Sequence, residues 1–228
     1  MNAKQLAAEA AVKSVQSGMT IGIGTGSTSA FAIEALGKKL QQGLSIKAVA
    51  SSVRSEETAR QNGITLLPFS ELGSIDIYID GADEVDKELN LIKGGGGALL
   101  REKILAFNSK EFIVIVDSSK LSEHLGKFPL PVEITPFAME LTVKQMQKLG
   151  CTTAIRQNNG KTYITDNGNC IVDCHFNKIE KVDELNESIR AIPGVIENGL
   201  FPESMVSKVI VGYESGEVRI IEKNSSAV

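Results

Sequence analysis

The stretch "MTIGIGTGSTS", Met19 to Ser29, decides the fold class. Met19–Ile23 is an apolar run of strand length, and Ser29–Leu40 carries the spacing of a helix. Between them lies a turn of glycine, serine and threonine. A strand that passes through such a turn into a helix opens a parallel α/β unit, and ligands of open α/β sheets gather at the carboxyl ends of the strands. The free N–H groups and positive end of the following helix suit an anion, and the hydroxyls of Thr25, Ser27 and Thr28 add donors. Serine at position 27 breaks the G-x-G-x-x-G pattern. The turn also lacks a P-loop lysine, and no acidic residue about twenty positions on is placed to hold a ribose. A small phosphate or hydroxylated ligand fits better than a dinucleotide or nucleoside triphosphate. A purely structural turn is the plain alternative.

The same alternation continues outward from this stretch. Leu6–Gln16 reads as a helix stopped by Gly18, Ile46–Ala50 as a strand, and Ser52–Gly63 as a polar helix. "ITLL" (Ile64–Leu67) and "IDIYI" (Ile75–Ile79) read as strands, followed by a helix from about Ala98 to Asn108 and the strand "FIVIV" (Phe112–Val116). The prolines of "FPLPVEITP" (Phe128–Pro136) mark a border. Beyond it come strand Val132–Ile134, helix Phe137–Leu149 and strand Thr153–Arg156. "KTYIT" (Lys161–Thr165) and "NCIVDCHF" (Asn169–Phe176) flank the Asn-Gly turn "DNGN" (Asp166–Asn169), a hairpin signal. Helix Val182–Ala191 and the strand "GVIE" complete this part, and "SKVIVGY" and "EVRIIEK" (Glu217–Lys223) are expected to return to the first sheet. The fold class is therefore α/β: a Rossmann-like, mainly parallel sheet covered by helices, with a smaller α+β domain of ferredoxin-like character. The expected division is 1–128 plus 206–228 for the first domain and 129–205 for the second.

Composition excludes several function classes. The chain has 228 residues, 42% hydrophobic and 23% charged, with a net charge of −4 and no block of lysine and arginine. A general nucleic-acid surface is disfavoured, although a local basic pocket for a phosphate is compatible with this balance. No apolar run has the length needed to cross a bilayer, and the N-terminus reads as an amphipathic helix instead of a signal peptide. A cytoplasmic protein with no membrane partner is the expectation. Cys151, Cys170 and Cys174 make no disulfide framework. Cys170, Val172, Cys174 and Phe176 share one strand face, as small core residues would. With His124 and His175 the only histidines, a histidine-rich metal site or a Ser-His-Asp relay is hard to build.

Three further motifs lie at strand ends. "DGADEVD" (Asp80–Asp86) follows "IDIYI", so Asp80 is placed to project into a cleft, with Gly81 and Ala82 leaving room for Asp83. A solvated acidic turn or a divalent-metal site would use the same residues, but the spacing does not match an EF-hand loop. "LIKGGGGALLREKIL" (Leu91–Leu105) sets Lys93 before Gly94, Gly95, Gly96 and Gly97, then Glu102 just inside the next helix. Four glycines carry a large backbone-entropy cost, which suggests that something approaches the backbone closely. Lys93 would suit a developing oxyanion; Glu102 is a candidate for the same cleft or a surface residue beside Lys103. "VDSSKL" (Val116–Leu121) offers Ser118, Ser119 and Lys120, or a polar turn with a solvated lysine.

Together these stretches resemble the type A ribose-5-phosphate isomerase family. The matching features are "GIGTGSTS", "YIDGADEVD", "IKGGGGALLREKI", "DSSKL", "LGKFPLPVEI", "DNGN" and "PGVIENGLF", in the family's order and over essentially the whole chain. The family's loop often has alanine where Gly97 stands. The resemblance implies interconversion of D-ribose 5-phosphate and D-ribulose 5-phosphate in the non-oxidative pentose phosphate pathway, with no metal and no organic cofactor, by a homodimer. It implies substrate binding by Thr25, Gly26, Ser27, Thr28, Asp80, Gly81, Ala82, Asp83, Lys93, Gly94, Gly95, Gly96 and Lys120, with Lys4 adding charge near the phosphate. Glu102 would be the proton acceptor, Lys93 the charge stabiliser, and Asp80 and Asp83 the carboxylates available for ring opening and proton movement between O1 and O2. The rival readings are another sugar-phosphate enzyme of the related deaminase or CoA-transferase fold group, and a sugar-phosphate-sensing regulator. The regulator would need a helix-turn-helix and a basic face, and neither is evident.

Overall fold

The computed structural model describes residues 2–222. Lys223, the end of the last expected strand, lies outside the described residues. The chain divides into two units, one of residues 2–82, 101–120 and 204–222, the other of 83–100 and 121–203. Compared with the division expected from the prolines, segments 83–100 and 121–128 group with the second unit, and Ser204 and Met205 with the first.

In the first unit a six-stranded sheet runs, in spatial order, Val218–Glu222, Lys208–Gly212, Ser109–Asp117, Ile75–Asp80, Thr20–Ile23, Lys47–Ala50. All its neighbours are parallel except the terminal hairpin, where Lys208–Gly212 pairs antiparallel with Val218–Glu222. The alternation of strands and helices thus produces a mainly parallel sheet, and the last two strands return to it. Helices α1 (Ala3–Val12), α2 (Ser27–Gln41) and α3 (Val53–Gln61) belong wholly to this unit, and α4 (Leu99–Phe107) enters it from Arg101 onward. One apolar cluster joins Ile21, Ile23, Ile77, Ile79, Ile113 and Ile115 of the strands to Ala7 and Ala11 of α1 and Ile33 and Leu36 of α2. Ile77 and Ile79 face that core, so strand alternation turns Tyr78 and Asp80 to the opposite face. There Tyr78 stacks on Phe112 of the neighbouring strand, ring centroids 5.0 Å apart.

"ITLL" is not a strand. Leu66 makes a single parallel bridge to Ala48, with Ala48 N donating to Thr65 O (3.0 Å) and Leu67 N to Ala48 O (2.8 Å). Pro68 follows, and the chain turns there into a 3-10 helix, Phe69–Glu71.

In the second unit, strands Leu130–Ile134, Thr152–Ile155, Cys170–His175 and Val195–Asn198, with α5 (Met139–Gln147) and α6 (Val182–Arg190), follow the order β-α-β-β-α-β. They form an antiparallel sheet in spatial order first to last: Val195–Asn198, Leu130–Ile134, Cys170–His175, Thr152–Ile155. This is the expected ferredoxin-like arrangement. Val132, Ile134, Cys170, Val172 and Cys174 share its core with Met146 and Ile189, so the cysteines are core residues. Of "KTYIT" only Lys161–Thr162 is strand, paired with Gln157–Asn158, and Ile164 bridges Cys170. In the turn that follows, Thr165 Oγ1, Asn167 Nδ2 and Asn169 Nδ2 all donate to Oε1 of buried Glu133, at 3.0, 3.0 and 2.9 Å. A small antiparallel sheet, unexpected from the sequence, places Leu91–Ile92 between Glu84–Val85 and Leu200–Phe201. Its two-residue strands are too short for periodicity to reveal.

Candidate active site

In the first unit the glycine turn rests on a buried carboxylate. Asp80, fully buried at the carboxyl end of Ile75–Asp80, accepts at Oδ1 from Thr25 N (2.9 Å), Ser29 Oγ (3.0 Å) and Gly81 N (2.7 Å). At Oδ2 it accepts from Tyr78 Oη (2.5 Å). Burying a carboxylate is tolerable only with such a set of donors. A Cβ on Gly24 would stand 2.0 Å from Asp80 Oδ1, so glycine there is what lets the carboxylate lie under the turn. Asp80 therefore holds the turn from beneath and does not project freely into a cleft.

Thr25 Oγ1 lies in a cluster of hydroxyls with Ser51 (2.8 Å), Ser52 (2.9 Å) and Ser55 (3.3 Å), and Ser55 Oγ donates to Gly24 O (2.8 Å). These serines follow strand Lys47–Ala50, next to Thr20–Ile23 in the sheet. Gly26, with φ +110°, precedes α2 and makes no side-chain cap, which leaves the first N–H groups of α2 directed at the turn's outer side. Ser27 at the helix start accepts from Lys4 Nζ at 3.0 Å, so α1 delivers the ammonium to this turn. Thr28 Cβ lies 3.9 Å from the place a Cβ would take on Gly81, setting the second strand-end motif beside the first. Lys120 ends a short 3-10 turn, Ser118–Lys120, after strand Ser109–Asp117, and its Ser119 N donates to Asp117 Oδ1 (3.0 Å).

Glu102 is buried in the first turn of α4, where the helix dipole favours a carboxylate. It is not the surface residue that its charged neighbours allow. Its charge is felt at Tyr78. Burial, then the charges of Asp80 and Glu102, push that phenol well above the usual tyrosine value, so Tyr78 remains a neutral donor.

In the second unit Lys93 leaves the small sheet, its N–H bonded to Gly199 O (2.9 Å). Its side chain is 2% exposed, with Nζ 5.5 Å from the centroid of the Phe201 ring, a cation–π contact. Asp83 is tied by its N–H to Ile92 O (2.8 Å), and its Oδ2 accepts from Gly95 N (2.7 Å). A Cβ on Gly95 would lie 2.6 Å from Asp83 Oδ1. Gly94 and Gly97 have positive φ, +100° and +83°, and Gly97 N donates to Gly94 O (3.0 Å), closing a tight turn before α4. Gly95 and Gly96 are exposed, while Gly94, Gly97 and Ala98 are buried.

The first unit thus holds a seated turn at the start of α2 and a buried glutamate at the start of α4, and the second holds a buried lysine and an exposed glycine backbone. The family model of ribose 5-phosphate isomerase A (phosphoriboisomerase A) matches residues 47–216. The chain belongs to this family. The ribose-5-phosphate isomerase A of Bacillus mycoides is 52% identical over 95% of this chain and 98% of its own length. That of Thermoplasma volcanium is 48% identical, over 93% and 89%. Among solved structures, ribose 5-phosphate isomerase A from Methanocaldococcus jannaschii superposes with a TM-score of 0.91 at 43% identity, covering 96% of this chain and 98% of that one. A D-ribose-5-phosphate isomerase in complex with phospho-erythronic acid superposes at 0.93 and 39% identity, covering 98% and 100%.

Against the isomerase family's loop, Gly97 has a local explanation. A Cβ there would stand 2.3 Å from Tyr163 Oη, so the tyrosine occupies the space that alanine would need. Sequence reading passed over Tyr78, Ser51, Ser52, Ser55, Arg156 and Tyr163. The serines carried a signal, since they follow a strand at its carboxyl end beside the glycine turn. Arg156 and Tyr163 carried none, because their neighbours in sequence are unrelated to the loop they touch. Among the described residues no group of three or more histidine, cysteine, aspartate or glutamate side chains is arranged to hold a metal, and no helix is long and apolar enough to cross a membrane.

Proposed function

We infer that the protein interconverts D-ribose 5-phosphate and D-ribulose 5-phosphate through an enediolate, by general acid/base catalysis without a metal or organic cofactor. What carries this reading is similarity over nearly the whole chain to an isomerase whose structure holds a phosphorylated sugar acid. In this reading Glu102 takes the proton from C2 of the open-chain aldose and returns it to C1, while O1 gains and O2 loses a proton. Its placement at a helix start keeps a carboxylate available in a buried setting. Lys93 and the glycine backbone stabilise the negative charge that develops on the sugar oxygens. Thr25–Thr28 with Lys4 receive the phosphate, and Lys120 adds charge. Asp83, half-buried, is the carboxylate suited to ring opening and oxygen-to-oxygen proton movement. Asp80, buried and accepting from Thr25, Ser29, Gly81 and Tyr78, contributes by setting the substrate-binding turn.

The test is conversion of ribose 5-phosphate by protein treated with EDTA. Full activity is expected, and activity restored only by metal, or none at all, would overturn the reading. Glu102→Gln should lower kcat by ~10²–10⁴ while leaving KM nearly unchanged, the scale of a lost general base. An unchanged kcat would remove Glu102 from that role. A homodimer in the cytoplasm belongs to the same proposal, and sedimentation of the purified protein checks the dimer.

A further inference from the structure

The glycine loop of the second unit is held by a side chain distant in sequence. Arg156 follows strand Thr152–Ile155, its backbone pinned on both sides: its N donates to Ile171 O (2.8 Å), and its O accepts from Tyr163 N (2.9 Å). Nε donates to Asp173 Oδ2 at 3.0 Å and Nη2 to Asp173 Oδ1, a two-point pairing that fixes the guanidinium plane. Nη1, facing away from that carboxylate, donates to Gly94 O (2.8 Å) and Gly95 O (3.1 Å). One planar cation therefore grips the carbonyls of two successive peptides.

A trans peptide points its C=O and N–H in opposite directions, so gripping a carbonyl also aims the following N–H. The first gripped peptide is fixed at both ends, since Gly95 N donates to Asp83 Oδ2 at 2.7 Å. In the second, Gly95 O turns to Arg156 and the Gly96 N–H is turned the other way, on an exposed residue. Among the described residues no protein acceptor meets that N–H. Without the clamp, a run of four glycines has more conformational freedom than any other sequence.

We propose that Arg156 is a positioning residue of the isomerisation. It acts through the carbonyls of Gly94 and Gly95 to hold the loop in the one conformation that offers the Gly96 N–H, beside Lys93, to the sugar oxygen on which charge develops. Asp173 holds Arg156 in turn. The inference rests on the isomerase reading above, in which this loop stabilises the enediolate.

Arg156→Lys tests it, because a lysine ammonium keeps the charge but cannot hold a carboxylate at two points and two carbonyls at once. The measurements are kcat and KM for ribose 5-phosphate, inhibition by phospho-erythronic acid and by inorganic phosphate, and Tm. Misplacing a preorganised donor should lower kcat by about 10- to 100-fold and weaken the sugar acid by a comparable factor, with inorganic phosphate changed less than about twofold. Tm should stay within a few degrees, and Asp173→Asn should show a smaller loss in the same parameters. A folded Arg156→Lys protein with wild-type kcat overturns the proposal. So does a variant whose losses extend equally to inorganic phosphate and Tm, the signature of a merely structural residue. If Arg156→Lys does not fold, Asp173→Asn decides, and wild-type values there overturn the proposal. A wild-type protein that leaves ribose 5-phosphate unchanged defeats the isomerase reading itself, a result distinct from an active wild type with an unaffected variant.

Discussion

The two glycine-rich turns, Gly24–Gly26 in the first unit and Gly94–Gly97 in the second, are held by different means. The first is set by sheet register. Thr20–Ile23 lies between Lys47–Ala50 and Ile75–Asp80, so the polar residues after each strand arrive at one sheet end, and Asp80 supplies the carboxylate beneath the turn. The second follows a strand of only two residues and depends on side chains from elsewhere, Asp83 below Gly95, Arg156 on two carbonyls, and Tyr163 against Gly97. A parallel sheet positions a ligand turn as a by-product of its own hydrogen bonding. A glycine loop outside such a sheet needs a clamp, and the clamp is invisible to local pattern.

The comparison breaks most sharply at Gly24. If register and Asp80 together seat the first turn, Gly24→Ala drives a methyl into a carboxylate that has no room to retreat. A loss of about 3 kcal/mol in urea unfolding is expected, at the upper end for overpacking a buried site. A nearly neutral Gly24→Ala would show that the turn is looser than its hydrogen bonds indicate.

Tyr78→Phe comes next. It removes the donor to Asp80 Oδ2 and should cost about 2 kcal/mol, the scale of leaving a buried acceptor short of a partner. The pH dependence carries a sign of its own. The folded-state pKa of Tyr78 lies well above the unfolded value near 10, so below about pH 10 both states are protonated and the stability is constant. As pH rises above 10 the unfolded state ionises first, and stability should fall by about 1 kcal/mol per pH unit from this residue. Unfolding titrations between pH 9 and 11 should show a shallower fall in Tyr78→Phe. Tyr163, also raised by burial, accounts for part of the slope that remains.

The smallest effect belongs to the second turn. Gly97→Ala places a side chain at φ +83° and against Tyr163, and should cost ~1–2 kcal/mol, less than Gly24→Ala because Tyr163 is half-buried and can swing away. In a Tyr163→Ala background the cost should shrink to the backbone part, about 1 kcal/mol. Equal costs in both backgrounds would mean that Tyr163 does not press on the loop.

Much of this fold was legible because it is written in local pattern. Ile77 and Ile79 alternate toward one core, and the same alternation turns Tyr78 and Asp80 to the other face. The β-α-β-β-α-β order of the second unit was likewise present in its runs and turns. What escaped was short or long-range. "ITLL" had strand composition but one bridge, since the chain turns into a 3-10 helix at Phe69, and the three-stranded sheet around Leu91–Ile92 has no strand long enough to show a period. The Asn-Gly turn was legible as a turn. That Asn167 and Asn169 converge on Glu133 was not.

The sequence alone determined the strand–turn–helix grammar, the strand-end location of the polar motifs, and a joint order of motifs specific enough to name a family. These follow from rules that act within a few residues: side-chain periodicity, glycine at tight turns, and free N–H groups at helix starts. Only the tertiary structure decided that Asp80 is buried beneath the glycine turn, that Glu102 is buried, that Lys4 reaches Ser27, and that Arg156 grips the glycine loop. Burial and hydrogen-bond partnership are properties of pairs of residues brought together by folding, and no single stretch of chain contains both members of such a pair.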